Sequence, residues 1–475
     1  MINAIDPASL ALDEASPEPL FRQIHRRIAG AILDGRLAPG ARLPSARSLA
    51  AQLSIARGTV DAAYQLLAGE GYIVSRGAAG TLVDPALDRQ LLRPARITHP
   101  VPALAIDHAE ARSLALFRVG VPALDLFPYK VWSRLIARRA RALNRLDHAY
   151  QEPAGDDGLR LQIARYLAVA RGVSCTPSQI LITGGYQGAL GLITRALMRP
   201  GQAAWLEHPG YPNARDALRL AGMKLVGVPV DSEGFDVGWA LARAKPAAIA
   251  FVTPTHQYPL GVTLSLQRRM ALLKWAERDE SWIVEDDYDS EFRYHGKPLP
   301  ALKSLDRRER VLYVGTFSKV LSPGLRVGYL VVPAGLVGRL AEVAQSLQPP
   351  PALLIQATIA EFIEQGYLAR HIRRMRQVYA ERRGALAEAL SEAVPHLDIA
   401  LKPGGMHLLA RLPRGTNDVA LVARLRQRGL EPSPLSDCGI GRAYEPGLVI
   451  GFTNVQTRKA GQAARALASA LRQAV

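Results

Sequence analysis

The chain is short of the features that mark secreted, membrane-bound and metal-stapled proteins. Two cysteines occur in 475 residues, Cys175 and Cys438. They lie far apart and outside any CxxC or Cys/His ligand spacing, which argues against a disulfide framework and against a zinc site. The amino-terminal run MINAIDPASLALDEASPEP carries acids and no basic start, and no later stretch approaches about 18 uninterrupted apolar residues. Neither secretion nor membrane insertion is expected, and a reducing cytoplasm fits. Internal repeats and low-complexity tracts are missing too. What is present is 48% hydrophobic content and a length beyond that of a usual single core, so at least two domains are expected.

Charge is abundant but says little in total. The formal net charge is +17, mostly from arginine scattered along the whole chain, a pattern that a high-GC codon bias also produces. Over residues 17–84, eight basic residues stand against five acidic ones. That balance is only mildly basic, so charge alone does not mark the segment as a nucleic-acid binder.

Pattern says more. In PEPLFRQIHRRIAGAILDG, Leu20, Ile24, Ile28 and Ile32 fall four apart on one helical face, with Gly35 as a stop. After LAPGARLP, Ser45 can cap a helix over SARSLAAQL, and IARGTVDAAYQLLAGEG reads as a further helix ending at Gly69 or Gly71. Two short helices therefore meet at a tight turn. YIVSRGAAGTLV follows as two β-prone runs around a glycine turn, a hairpin or wing. From Asp84 to about Ser113 periodicity fades into a Pro- and Arg-containing linker. Beyond it, ILIT (180–183), AAWLE (203–207), KLVGVPV (224–230), AAIAFVT (247–253), WIVEDD (282–287), VLYVGTF (311–317) and VGYLVV (327–332) alternate with helical patterns. That alternation predicts an α/β domain with a largely parallel sheet. The last hundred or so residues open with a long basic helix, LARHIRRMRQVYAERRGALAEAL, and read as a smaller α+β lobe.

A helix-turn-helix reads DNA by laying its second helix in the major groove, so Arg57 and Thr59 at that helix's start are candidates for base and phosphate contact. Arg47 can reach the backbone and Arg76 in the wing a groove or phosphate. Taken singly, each arginine is an ordinary surface charge; their frame is what raises them. LPSARSLAAQLSIARGTVDAAYQLLAGEGYIVSRGAAGTLV resembles the winged-helix domain of GntR-type bacterial repressors, through its LPS-x-R start, R-x-TV helix, EGY turn and G-x-x-V strand. The resemblance implies DNA contacts at Ser45, Arg47, Arg57, Thr59 and Arg76, with Gly80 shaping the wing. Gly58 departs from it, since a polar residue is usual there; glycine in a helix costs about 1 kcal/mol against alanine and offers no base contact.

Several segments of the second domain fit the needs of a pyridoxal phosphate site: a lysine for the Schiff base, an acid for the pyridine nitrogen, donors for the phosphate and a ring-stacking side chain. In GTFSKVLSPGLRVGYL, Lys319 follows a strand between Thr316 and Ser318 hydroxyls, with Arg326 seven residues on. In WIVEDDYDSEFRY, Glu285 to Tyr288 would be costly to bury without a facing cation, which a pyridinium supplies; a solvated loop is an equal alternative from this segment alone. Gly185, Tyr186 and Gln187 follow strand ILIT at a helix start, where backbone amides point at an anion. Tyr211 in WLEHPGYPN suits stacking, or equally a plain core role.

Together, SK-x-L-x-PGLR-x-G, EDDYDSEF and TPTHQYPLG behind a GntR module resemble the MocR/GabR-type regulators, which join a winged helix to a fold-type I aminotransferase-like domain. The resemblance covers the chain after about its first sixteen residues. It implies that Lys319 carries the Schiff base, Asp286 pairs the pyridine nitrogen, Tyr288 contacts the ring oxygen and Tyr211 stacks. It further implies that Gly185, Tyr186, Gln187, Thr316, Ser318 and Arg326 hold the phosphate. Two departures stand out. Tyr258 precedes Pro259-Leu260-Gly261 where aminotransferases usually have asparagine, and Val449 stands where enzymes of the fold carry the arginine that clamps a substrate carboxylate. A carboxylate entering an apolar site without that partner loses several kcal/mol, which disfavours ordinary transamination.

The expectation is thus an α/β chain with a winged helix-turn-helix over residues 1–84, a linker over 85–112, and over 113–475 an aminotransferase-like domain ending in a small α+β lobe. Its partners are double-stranded operator DNA, pyridoxal 5'-phosphate and an effector that is an amino compound, such as γ-aminobutyrate or taurine in the family, or the cofactor itself. No metal is expected, and the resemblance implies a homodimer. The regulator is not expected to be an enzyme, beyond residual half-transamination; two other readings stay open, a true aminotransferase with a vestigial first domain and a fold used for dimerisation alone.

Overall fold

A computed structural model describes residues 12–13, 15–77, 80–88, 115–145, 147, 149–294, 296 and 299–472. The chain forms two compact units, Met1–Ile106 and Asp107–Val475. The boundary between them falls inside the expected linker, most of which, 89–112, lies outside the described residues.

In the first unit, helix α1 (Leu20–Leu33) packs against α3 (Arg57–Gly69), with α2 (Ala46–Leu53) between them in sequence. The four-residue spacing puts Ile24, Ile28 and Ile32 at 0% exposure, against Leu49, Val60 and Leu67 from the other two helices. Each such side chain contributes roughly 1.5–3 kcal/mol by burial. Ser45 caps α2, accepting from the Ser48 amide at 3.1 Å. The left-handed Ser54 (φ 55°) then ends α2 and turns the chain into α3. Strands β1 (Ile73–Ser75) and β2 (Thr81–Val83) pair antiparallel as the wing, and Arg42 bridges to Leu82 on its other side.

The second unit is built on an eight-stranded sheet of β3 (Ile180–Thr183), β4 (Ala203–His208), β5 (Lys224–Asp231), β6 (Gly234–Phe235), β7 (Ile249–Val252), β8 (Trp282–Asp287), β9 (Val311–Thr316) and β10 (Gly328–Val331). Their order is β3-β10-β9-β8-β7-β4-β5-β6. The run from β9 to β5 is parallel; β10 is antiparallel to both its neighbours, and β6 is a short antiparallel edge. All seven anticipated strands are present. The two-residue β6 was not anticipated, being too short to show a period. Burial on both faces explains why most of these strands read as unbroken apolar runs.

Among the helices of this unit, α4 (Tyr129–Ala142) and α5 (Asp157–Arg171) precede β3, α6 (Gly185–Leu197) follows it directly, and α7 (Pro212–Leu220) follows β4. The long helix expected from the basic segment is α8 (Tyr367–Ala393). It packs with α9 (Ala460–Arg472) beside an antiparallel four-stranded sheet, β11 (Asp398–Ala400), β12 (His407–Arg411), β14 (Gly447–Gly451) and β13 (Ser433–Pro434), which forms the small lobe with α10 (Asp418–Arg426). Among the described residues, no helix is long and apolar enough to cross a membrane.

Candidate functional site

In open α/β sheets the crevice beyond the carboxyl ends of the strands is where ligands gather. Here the ends of β3, β4, β7, β8 and β9 and the start of β10 surround one cavity of about 400 Å³. Tyr186, Gln187, Tyr211, Asp286, Tyr288, Thr316, Ser318, Lys319 and Arg326 all line it, and Gly185 sits behind Arg326 at the first residue of α6.

Lys319 donates from Nζ to the Gly120 carbonyl at 2.9 Å. Burial pulls its amine below the ordinary lysine value, while Asp286 and Asp289 pull the other way. Arg326 holds a left-handed backbone (φ 51°) after the turn Pro323–Leu325. That unusual conformation aims its guanidinium at the start of α6, where it donates to the Gly184 carbonyl and to Gln187 Oε1, both at 3.3 Å. A cation and the amides of a helix N-terminus thus share one spot. Thr316 Oγ1 accepts from the Ser318 amide at 3.1 Å, fixing the hydroxyl-bearing turn.

The acidic run at the end of β8 divides by strand alternation. Glu285 and Asp287 face one side and Asp286 the other. Glu285 is fully buried and accepts the Leu302 and Lys303 amides at 2.7 Å; burial and the neighbouring Asp287 raise its carboxyl to about 7. Asp287 pairs with Arg171 at 2.6 Å and accepts from Tyr313. The cation that lets Asp287 be buried is therefore Arg171, a correction to the reading that one pyridinium faces the whole run. Asp286 alone opens onto the cavity. Burial and Asp287 hold its carboxyl well above the usual carboxylate range, opposed by a hydrogen bond from the Tyr186 phenol. Such a carboxyl is matched by a cationic group in the cavity, and a protonated pyridine nitrogen is one. With an amine, a guanidinium and hydroxyl donors on the same wall, the residues present fit pyridoxal phosphate.

Tyr211 begins α7 as its cap residue, its ring 6.0 Å from Tyr186 and 5.4 Å from Tyr258. Tyr258 hydrogen-bonds Ser433 and Cys438, and burial pushes the Cys438 thiol up to about 12. Val449 is fully buried on β14, in an apolar cluster with Tyr258, Leu409, Leu435 and Cys438. It does not line the cavity, whereas Arg426, at the end of α10, does.

Sequence reasoning missed the groups that hold these walls in place. Glu207 on β4 accepts from the Thr253 amide (2.9 Å), the Thr253 hydroxyl (2.6 Å) and Gln257 (3.1 Å), and Gln257 also donates to the Pro209 carbonyl at 2.8 Å. This buried carboxyl, raised to about 7 by burial, ties the Tyr211 loop to the Tyr258 loop. His256 was missed as well, although it lies in TPTHQYPLG; the signal was a lone histidine in an otherwise uncharged run.

In the first unit, Arg47, Arg57 and Arg76 are exposed and Thr59 is half-buried in the first turn of α3. Arg57 meets Asp61 at 3.3 Å one turn on. Gly58 is the second residue of α3 with open space around its Cα, so only part of the interior-helix penalty applies. Gly80 (φ +83°) closes the wing turn, accepting from the Arg76 amide at 2.9 Å, and the exposed Arg42, unforeseen, lies across it.

This architecture is that of a pyridoxal-phosphate domain of the aminotransferase type behind a winged helix. Residues 117–467 match the aminotransferase class I and II family and residues 20–83 the bacterial regulatory proteins of the gntR family. The chain is 36% identical to the probable rhizopine catabolism regulatory protein MocR of Rhizobium meliloti, over 97% of this chain and 95% of that one. It is 34% identical to the pyridoxine biosynthesis transcriptional regulator PdxR of Corynebacterium glutamicum, over 93% and 94%. Among solved structures, the α-aminoadipate aminotransferase LysN of Thermus thermophilus, complexed with N-(5'-phosphopyridoxyl)-L-leucine, superposes with a TM-score of 0.71 at 28% identity, covering 77% of this chain and 94% of that one. The chain belongs to the MocR/GabR-type transcription regulators, and its cofactor is pyridoxal 5'-phosphate.

Proposed function

We propose that this regulator binds operator DNA through residues 1–84 and senses an amino compound, or pyridoxal phosphate itself, at Lys319 in the domain spanning residues 113–475, with residues 85–112 as the linker. The observation that carries the reading is that an amine, a raised carboxyl, a phenol and a guanidinium at a helix start line one cavity in a chain that begins with a winged helix.

Pyridoxal phosphate, when bound, supplies an electrophilic aldehyde carbon and an electron-withdrawing ring. Lys319, its amine pulled toward the neutral form, would hold the group through that carbon. Asp286 would hold the proton at the pyridine nitrogen, Tyr288 would donate to the ring oxygen and Tyr211 would stack on the ring. Arg326, the hydroxyls of Thr316 and Ser318, and the amides of Gly185, Tyr186 and Gln187 bind the phosphate. On the DNA side, Arg57 and Thr59 enter the major groove at the start of α3, Ser45 and Arg47 meet the backbone, and Arg76 reaches out from a wing shaped by Gly80.

The relative PdxR is named for pyridoxine biosynthesis, which supports the cofactor itself as one effector. Turnover as an aminotransferase is disfavoured because Val449 lies in an apolar cluster, leaving that strand without a carboxylate-binding cation, although Arg426 lines the cavity from α10. A homodimer would present two winged helices to paired half-sites. Reconstitution with pyridoxal phosphate tests the core of this reading: wild type gains a visible absorption band, and Lys319→Ala loses it while still binding DNA. A colourless reconstituted wild type would refute it.

A further inference from the structure

His256 is 7% exposed, and its Nδ1 stands 3.0 Å from the Tyr288 hydroxyl and 3.0 Å from Oδ2 of Asp289, itself 2% exposed. The ring has little freedom. A Cβ on Gly405 (φ +93°) would lie 2.1 Å from His256 Cε1, and Gly405 is pinned by its amide donating to the Phe292 carbonyl at 2.9 Å. A Cβ on Gly261 would likewise come 3.0 Å from Nε2. Neither His256 nor Asp289 lines the cavity, whereas Tyr288 does.

One nitrogen thus faces two partners and carries at most one proton. Without the proton, Nδ1 accepts from Tyr288, which turns the phenol hydrogen away from the cavity and sets a ring lone pair against the buried Asp289 Oδ2. With it, Nδ1 donates to the Tyr288 oxygen, and the phenol hydrogen is free to point into the cavity. Asp289 Oδ2 is buried without a hydrogen-bond partner 3.0 Å from Nδ1, where a ring lone pair would repel it and a ring proton attracts it, so Asp289 selects the second arrangement. We propose that His256, held in its Nδ1–H form by Asp289, is a positioning residue that aims the Tyr288 hydroxyl at the ring oxygen of pyridoxal phosphate. The inference rests on the cofactor reading above and adds two residues to it. The logic is that of a neighbouring carboxylate fixing a histidine tautomer.

Other groups face this pair. Tyr288 is also approached by Asp286 at its own strand end, Tyr258 after β7 and Glu207 on β4. His256 faces His407 on β12, ring centroids 5.5 Å apart, and the Lys402 chain beside Gly261. Asp289 also acts through space on Lys319. A single substitution would mix these effects, so the test is a double-mutant cycle.

Visible absorption of the cofactor-loaded full chain is followed against pH in wild type, His256→Phe, Tyr288→Phe and the double variant. His256→Phe is expected to move the midpoint of the band's transition by about 0.5 pH unit or more when Tyr288 is present, and by less than about 0.2 unit when it is absent. Equal shifts in both backgrounds overturn the proposal. His256→Gln, whose amide can still donate to the Tyr288 oxygen, serves where the phenylalanine variant does not fold; a midpoint within about 0.2 unit of wild type supports the proposal, and one matching Tyr288→Phe overturns it. A coloured wild type with background-independent shifts overturns only the role of His256, whereas a colourless wild type overturns the cofactor reading and this one with it.

Discussion

The Lys319 amine donates to the Gly120 carbonyl at 2.9 Å, and a Cβ added to Gly120 would lie 2.4 Å from that same nitrogen. The two residues are 199 positions apart, so the segment entering the second unit forms the wall that holds the amine in place.

Gly120→Ala is therefore expected to act twice. At φ +74° the alanine is strained by about 1–2 kcal/mol, and its methyl displaces the Lys319 amine. Cofactor affinity, measured by absorbance titration, should fall about tenfold or more. Unchanged affinity would show that Gly120 does not shape the amine's position.

Arg57 carries a different prediction. Its ion pair with Asp61 is exposed, with the Arg57 side chain 70% accessible, so Arg57→Ala should change folding stability by no more than about 0.5 kcal/mol. If Arg57 neutralises a phosphate, the slope of log affinity against log salt becomes shallower by about 1. Binding isotherms at several salt concentrations check this.

Stability should depend on pH through His371. Burial on α8 holds its imidazole down at about 4, although it bonds the backbone of Val320, next to Lys319. A histidine whose folded value lies below its unfolded value of about 6.5 leaves stability intact above that pH and lowers it as pH falls toward 4, because the unfolded chain binds the proton more readily. The loss is on the order of 3 kcal/mol at pH 4. Thermal unfolding of His371→Gln should show a flatter profile over that window; an identical slope would assign the effect elsewhere.

Asp286→Asn should spare DNA binding yet weaken the response of the loaded protein to amines. An amide cannot hold a proton at the pyridine nitrogen, and the electron-withdrawing character of the ring falls with it. Rates of absorbance change on mixing with amines measure this, with a loss of about tenfold or more expected.

Much of this architecture was legible because it is written locally. The strands are short apolar runs, the winged helix carries its own caps and turn, and Lys319, Asp286 and Arg326 stand at strand ends whose order along the chain is preserved around the cavity. What was not legible is pairing across long separations. Arg171 and Asp287 are 116 positions apart, so no local pattern shows that the acidic run has a protein cation on one side. Glu207 draws three donors from a loop 46 to 50 positions on, and His256 reaches Tyr288 over 32. Such contacts arise only when the fold brings helix ends and the carboxyl ends of strands together.

The central claim is that occupancy of the Lys319 cavity is read out at the DNA. DNA affinity of the cofactor-loaded chain, on a fragment selected from a random-sequence pool, should be titrated with γ-aminobutyrate, taurine and free pyridoxal phosphate in wild type and in Lys319→Ala. The account predicts that at least one of them changes wild-type affinity by about fivefold or more and leaves Lys319→Ala unmoved. Affinity in wild type that is indifferent to all three, and to removal of the cofactor, would contradict it.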